Sequence, residues 1–212
     1  MNSSQHRSYS VAGLEEQLRL PAADETCARP RGAADRLGAL RELAARVPPP
    51  PRRAGVNLHV HTGKSFSLFY SPAAACWQAR KEGLEFFGIN DHYTVAGHPE
   101  FREACRILGL KAGFSMEAIA LDDDSRRQGL LLNDPDNPGR TYFTAKGVTR
   151  ALGPNSHGAR ALQGVNAALT ARHQRMVELA ADWLAQATAR PGLEPVRSEE
   201  RRVGKECSLL CR

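Results

Sequence analysis

The sequence predicts an α/β fold in which strands alternate with helices. Three observations support this class: short apolar runs recur from residue 56 onward, helical segments lie between them, and one run, "LEFFGIN", is nearly continuously apolar. A continuous apolar run is typical of a parallel strand that is covered on both faces. Strands that alternate with helices of this length form parallel βαβ units, so we expect a layered sheet or a barrel.

The first part of the chain has a different pattern. Two short helical segments are predicted at 11–20 and 34–47, because apolar residues recur there at helical spacing. The run "VPPPPRR" follows, and successive prolines end a helix since they lack the backbone N–H and favour an extended path. Residues 1–53 are therefore predicted to be a helical and proline-rich preface to the domain.

The segment 71–83 has the clearest helix boundaries. Ser71 stands at the N-cap position, Pro72 at the first helical position and Gly83 at the end. Serine satisfies a free backbone N–H, proline presets the helical φ, and glycine tolerates the left-handed conformation that ends many helices. The neighbouring elements are predicted as strands at 56–60, 84–90 and 110–121 and a helix at 99–109.

Two more elements are predicted further along the chain. The stretch "TYFTA", at 141–145, is a candidate fourth strand that follows a loop rich in turn-forming residues. Residues 165–188 have the apolar periodicity of a long amphipathic helix. We therefore predict that residues 54–196 belong to one domain.

Two histidines stand at the end of the first predicted strand, in "NLHVHTGKSFS". Residues i and i+2 of a strand point to the same side, so His59 and His61 direct both imidazoles to one place while Val60 faces away. Neutral imidazole binds Zn²⁺, Fe and Mn, but two ligands are too few for a tight site. The same spacing also arises by chance on a half-exposed strand, so the metal interpretation needs further ligands.

Such ligands are available on the next two predicted strands. Asp91 and His92 follow 84–90 directly, at the strand end where parallel α/β proteins collect their reactive groups. Glu117 stands in the apolar run of the third strand, where an unpaired carboxylate would be destabilising by several kcal/mol. Together with the histidine pair, these residues predict a metal site at one edge of the sheet.

The stretches "NLHVHTGKSFS" and "GINDHYTVAGHPEF", followed by a glutamate in the third strand, resemble the polymerase and histidinol phosphatase (PHP) family. The resemblance covers residues 57–117 well and runs more loosely to about residue 150. It implies a distorted (β/α)7 barrel, of which this chain would be the truncated N-terminal part, with residues 54–196 as a partial PHP domain. It also implies a cluster of up to three metal ions that hydrolyses phosphate esters.

The resemblance implies roles for individual residues. His59 and His61 match the first metal-binding pair of the family. His92 matches the ligand of the second motif, and Glu117 matches the carboxylate that bridges two ions. Asp91 is expected to be a ligand or to orient His92, so that Asp91 and His92 form the expected catalytic pair.

The stretch "TGKSF" departs from the family pattern. Phe66 occupies a position where relatives often carry a metal ligand, so one metal position is expected to be lost or remodelled. We expect a metal-dependent phosphoesterase that activates water with divalent ions of Zn, Mn or Fe and acts on a small phosphorylated substrate. Two alternatives stay open: a proofreading module that works beside a polymerase, and a vestigial PHP domain that binds without catalysis.

The composition limits which binding partners can be expected. The chain has 212 residues and a formal net charge of +6, but its basic residues are scattered among acidic ones, which does not favour nucleic acid as a partner. No apolar stretch reaches the roughly 20 residues that cross a bilayer, and the N-terminus lacks the apolar core of a secretion signal. We expect a cytoplasmic protein without membrane contact, and the sequence leaves its oligomeric state open.

The last segment, "RSEERRVGKECSLLCR" at 197–212, resembles a sequencing-library adapter translated in frame. We therefore expect this tail to be non-native. The later motifs of the family, another histidine and a terminal Asp-x-His, have no match before residue 196. A fragment that lacks these ligands can be inactive whatever its parent protein does.

Overall fold

A computed structural model of the chain describes residues 9–19, 32–65, 67, 69–149, 152–153 and 155–187. The chain divides into two compact units, Met1–Ala151 and Leu152–Arg212. Among the described residues, no helix combines the length and the apolarity that a bilayer span requires. The predicted tail at 197–212 lies outside the described residues.

The predicted helices and strands are present, and most of their ends move by only one or two residues. The helices are α1 (Val11–Arg19), α2 (Ala33–Arg46), α3 (Pro72–Lys81), α4 (His98–Leu108), α5 (Asp123–Arg127) and α6 (His157–Ala187). The strands are β1 (Gly55–Val60), β2 (Leu84–His92), β3 (Lys111–Leu121) and β4 (Arg140–Lys146).

The caps predicted for α3 are confirmed. The Oγ of Ser71 accepts a hydrogen bond from the backbone N of Ala74 at 3.0 Å, and Pro72 is the first helical residue. Gly83 adopts a φ of +72°, the left-handed conformation for which glycine was expected. The same Ser71 hydroxyl donates to the backbone O of Leu18 at 2.6 Å, which ties α1 to the start of α3.

The four described strands form one sheet in the order β1-β2-β3-β4. The first three strands are parallel, as the βαβ pattern predicted, whereas β4 runs antiparallel to β3. The connection between β3 and β4 holds only the five-residue helix α5, and its ends meet where Asp122 N donates to Gly139 O at 2.8 Å. Such a closed connection returns the chain antiparallel, since parallel pairing needs a crossover. The sheet is compatible with part of a barrel, and the (β/α)7 barrel itself stays a prediction.

The helices of the predicted preface pack into the same core as the sheet. One buried cluster combines leucines of α1 and α2 with aromatic and aliphatic residues of β2 and α4, among them Leu14, Leu18, Leu40, Leu43, Phe87, Ile89 and Phe101. A buried ion pair supports this packing, because Arg36 of α2 donates to both carboxylate oxygens of Glu100 of α4 at 2.9 and 2.6 Å. Within the first unit, α1 and α2 are therefore structural parts of the fold that carries the site.

The long helix of the second unit begins earlier than the sequence predicted. Periodicity placed its start at residue 165, whereas α6 begins at His157. The cause is Ser156, whose Oγ accepts a hydrogen bond from Ala159 N at 3.1 Å, as an N-cap serine does. This cap starts the helix before the apolar periodicity becomes visible.

Candidate metal centre

The first two candidate ligands lie at the C-terminal end of β1. His59 is within the strand and His61 is the first residue after it, while Val60 between them is buried. Pairing between β1 and β2 is irregular at this point, since the register shifts between Asn57 and Val60. Irregular pairing of this kind re-aims side chains at the ends of strands and is common beside functional sites.

Strand β2 extends two residues further than predicted. The sequence placed Asp91 and His92 directly after the strand, where the chain was expected to turn into a loop, but both continue the ladder, with Asp91 opposite Met116 and His92 opposite Glu117 of β3. Polar side chains do not interrupt a strand whose backbone groups remain paired across it. This extension places His92 beside Glu117.

The carboxylate of Glu117 is the point at which the candidate ligands meet. Its Oε2 lies 2.6 Å from Nε2 of His59 and 3.5 Å from Nε2 of His61, although Glu117 itself is only 6% exposed. One ligand atom from each of the three residues lies within 4.8 Å of the others. Side chains from the two outer parallel strands of this region thus converge on a single place.

The imidazole of His92 joins this group through ring stacking. The rings of His61 and His92 are nearly parallel, with centroids 4.3 Å apart, and the ring of His59 meets that of His61 edge-on at 5.2 Å. The Nδ1 atoms of His61 and His92 are both buried and have no hydrogen-bond partner. A buried nitrogen without a hydrogen bond is destabilising, so both Nδ1 atoms are suited to bind a ligand or a proton.

Burial favours the neutral form of His61. Removal from water lowers the pKa of His61 below its ordinary value, and the neighbouring His92 lowers it further, against an opposing effect of Glu117. Metal ions bind the neutral imidazole, so a lowered pKa favours coordination at neutral pH.

Asp91 has a different environment from the histidines. Its Oδ1 accepts from the backbone N of Thr62 at 2.5 Å and from Oγ of Ser65 at 2.8 Å, and its Oδ2 accepts from Oγ1 of Thr62 at 2.8 Å. In the part of the chain that the structure describes, no hydrogen bond joins Asp91 to His92. The carboxylate therefore fixes the turn that follows His61, and its predicted roles as a ligand or as a partner of His92 stay predictions.

The residue after His92 is held in a strained conformation. Tyr93 has a φ of +53°, which is uncommon for a side chain with a Cβ. Its backbone N donates to the backbone O of Glu117 at 2.9 Å, and its hydroxyl accepts from Ile119 N at 3.1 Å. These contacts join the end of β2 to β3 at Glu117 and two residues after it.

The sequence did not identify two residues of this region, Asn90 and Thr62. Asn90 is fully buried, with its Nδ2 2.7 Å from Oε2 of Glu117 and 3.0 Å from Nε2 of His59. The sequence did contain a signal for Asn90, because a polar amide inside an otherwise apolar parallel strand requires hydrogen-bond partners. Phe66, where a lost ligand was predicted, lies outside the described residues.

The donors present fit a divalent metal ion. Two imidazoles and a carboxylate form a mixed nitrogen and oxygen set, which Zn, Mn and Fe accept. The unpartnered Nδ1 atoms of His61 and His92 are consistent with a site that is completed by binding. Mixed ligation does not select one of these metals.

Comparison with known proteins gives limited relationships. No family model matches the chain. A stretch of 69 residues is 38% identical to the PolC-type DNA polymerase III of Oceanobacillus iheyensis, and this match covers 32% of the chain but only 5% of the polymerase. The chain thus spans a small part of the length of that relative.

A solved structure is also similar. The crystal structure of a proposed metal-dependent phosphoesterase from Bifidobacterium adolescentis is 29% identical in sequence, with a TM-score of 0.48. The likeness covers 64% of this chain and 40% of that one. A TM-score of this size does not establish a common fold.

Proposed function

We propose that this chain is part of a metal-dependent phosphoesterase related to the PHP family. The observation that carries the proposal is the convergence of His59, His61 and Glu117, whose ligand atoms lie within 4.8 Å of one another. Buried carboxylates are stable when they are paired or bind metal, and this one faces two imidazoles. The motif resemblance supplies the chemistry, and the contacts of the site support it.

Each residue of the site has a role in this proposal. His59, His61 and Glu117 would hold a divalent ion, and His92 would hold a second one, as the second motif implies. Such ions, when bound, polarise the phosphoryl oxygen and lower the pKa of a coordinated water. The stacked ring of His61 keeps His92 at the same edge of the sheet, where its Nδ1 can bind a ligand or hold a proton.

The proposed substrate is a small phosphorylated molecule. The turn after the histidine pair presents Lys64, whose backbone N donates to Oγ1 of Thr62 at 3.3 Å. That turn is fixed by Asp91 through Thr62, and Lys64 is exposed in it, two residues after Thr62. A lysine in this position would attract a phosphate group as a point charge.

Hydrolysis of an aryl phosphate by the full chain tests the proposal. We expect turnover of p-nitrophenyl phosphate that disappears when metal is removed with a chelator and returns when Mn²⁺ or Zn²⁺ is added. Glu117→Gln keeps the shape of the side chain but removes its charge. It should lower turnover by more than about 100-fold, the upper limit for residues that only support a ligand.

A matched substitution elsewhere controls for general damage. Glu85 is also a strand glutamate of this sheet, but it pairs with Lys111 at 2.6 Å and is not part of the ligand group. Glu85→Gln should leave turnover unchanged. Equal loss in both variants, or turnover that survives complete removal of metal, would contradict the proposal.

A second candidate function is a module that works with a polymerase on nucleic acid. The similarity to a DNA polymerase over 69 residues favours it. Release of nucleotides from the 3′ end of a single-stranded oligonucleotide would separate the two functions. Metal-dependent release that exceeds aryl phosphate turnover would support the polymerase-associated module, whereas neither activity together with no bound metal would indicate a vestigial domain.

A further inference from the structure

Asn90 lies at the centre of the candidate site, although none of the motifs includes it as a ligand. It precedes Asp91 in β2 and is completely buried. Its Nδ2 lies 2.7 Å from Oε2 of Glu117, 3.0 Å from Nε2 of His59 and 3.5 Å from Oγ1 of Thr144. Two of these three neighbours belong to the candidate ligand group.

The two ends of the Asn90 amide have unequal surroundings. Nδ2 faces three polar atoms, whereas Oδ1 is buried and has no hydrogen-bond partner. An amide oxygen can accept two hydrogen bonds, and leaving it unsatisfied in a buried place is destabilising. The imbalance indicates that the amide orientation suits only one state of the site.

In the orientation that the structure has, the amide of Asn90 donates to Glu117. Oε2 of Glu117 accepts from the Asn90 amide and lies 2.6 Å from Nε2 of His59, so a proton on that nitrogen would be donated to Glu117, and Asn90, itself a donor, could not also donate to His59. A cation bound by His59 and Glu117 would take the place of this proton. The N–H groups of Asn90 would then point towards a positive charge, which is electrostatically unfavourable.

A half-turn of the amide removes this conflict. The oxygen and nitrogen of an asparagine amide fill nearly the same space, so the rotation exchanges them at little steric cost. The rotation would bring the unpartnered oxygen to the place that Nδ2 now occupies. Amide carbonyl oxygens are suitable ligands for hard divalent cations.

We propose that Asn90 is a further metal ligand of this site, and that its side-chain Oδ1 turns towards a divalent ion held by His59, His61 and Glu117. This inference rests on the proposed metal centre and adds a donor to it.

Titration of the full chain with Co²⁺ tests the proposal, because the visible spectrum of this ion depends on the number and kind of its ligands. Asn90→Ala should raise the Co²⁺ dissociation constant by about 10- to 100-fold and change the visible absorption band of the bound ion. Asn90→Asp is isosteric and places an oxygen at both ends, so it should retain tight binding and a band close to that of the wild type.

Thr144→Ala is the matched control. Thr144 is the most distant of the three neighbours of Nδ2, and it does not belong to the ligand group, so its variant should bind Co²⁺ with the wild-type spectrum. Circular dichroism of the metal-free variants checks that they fold. If Asn90→Ala does not fold, Asn90→Asp alone tests the proposal. If Asn90 only donated a hydrogen bond to Glu117, the aspartate would replace that donor with a carboxylate that repels Glu117, and Co²⁺ binding would be lost.

The outcomes separate this inference from the proposed function. A wild-type protein that binds Co²⁺, with an Asn90→Ala variant of equal affinity and spectrum, would overturn the role of Asn90 and leave the metal centre in place. Loss of Co²⁺ binding in a folded Asn90→Asp variant would also overturn it. A wild-type protein that binds no Co²⁺ would overturn both.

Discussion

The carboxylate of Asp91 accepts two hydrogen bonds from Thr62, one from its backbone N at 2.5 Å and one from its hydroxyl at 2.8 Å. Both residues are fully buried. This pair joins the end of β2 to the turn after His61, so the two strand ends that carry the candidate histidines are fixed to each other. The site thus depends on a polar network beneath it as well as on its ligands.

Asp91→Asn should loosen this network. The amide offers one acceptor where the carboxylate offers two, which leaves a buried donor unpaired and should lower the free energy of unfolding by about 1–3 kcal/mol. Urea denaturation measures this change. Ser65→Ala removes only the single bond to Oδ1 and should have a smaller effect, about 0.5–1.5 kcal/mol.

Metal affinity of the same variant distinguishes two roles for Asp91. We expect Asp91→Asn to retain divalent metal more tightly than Glu117→Gln does, because both oxygens of Asp91 are occupied by Thr62 and Ser65. An equal loss of metal in the two variants would show that Asp91 is itself a ligand.

The buried ion pair between Arg36 and Glu100 should be a major support of the first unit. Both side chains are almost completely buried, at 2% and 4% exposure. Arg36→Met leaves the Glu100 carboxylate without its partner and should lower the free energy of unfolding by about 3–5 kcal/mol.

Arg41→Met is the control on the same helix. Its partner Glu103 is 2.7 Å away, but the Arg41 side chain is more than half exposed, so removal should change stability by no more than about 1 kcal/mol. Equal effects of the two substitutions in urea denaturation would contradict the structural role of α2.

Several parts of the fold and site were predictable from local sequence patterns. Capping residues located α3, apolar runs located the parallel strands, and the spacing of His59 and His61 indicated that both face one place. These features depend on residues that are close in sequence, where side-chain period and backbone preference are decisive.

Other parts depend on contacts between distant residues. The Arg36 and Glu100 pair joins positions 64 residues apart, and the Asn90 amide meets partners on β1 and β3. The antiparallel direction of β4 follows from the closed connection at Asp122 and Gly139, which no periodicity reveals. Such contacts form only when the chain is packed, so local patterns could not predict them.

Stability should decrease in mild acid, in part because of His98. Burial lowers the pKa of His98 below its ordinary value, against opposing effects of the Ser115 and Val148 carbonyls and of Asp91, with Arg102 lowering it slightly. The unfolded chain therefore gains a proton at a higher pH than the folded one. The contribution of His98 to the free energy of unfolding is present above about pH 6.5, and it is lost as the pH falls below that value towards the lower folded-state pKa.

Urea denaturation of metal-free protein between about pH 7.5 and 5.5 measures this dependence. His98→Gln should show a smaller loss of stability over this interval than the wild type. Some pH dependence should remain, since burial lowers the pKa of His61 in the same direction. Identical pH profiles would mean that His98 does not carry the effect.

The metal content of the purified full chain after dialysis tests the central claim most directly. Elemental mass spectrometry should find at least one divalent ion per chain in the wild type and in Glu85→Gln. The variants His59→Ala, His61→Ala and Glu117→Gln should retain far less, because their ligand atoms meet at one place. A wild type without metal, or equal metal in all five proteins, would contradict the account.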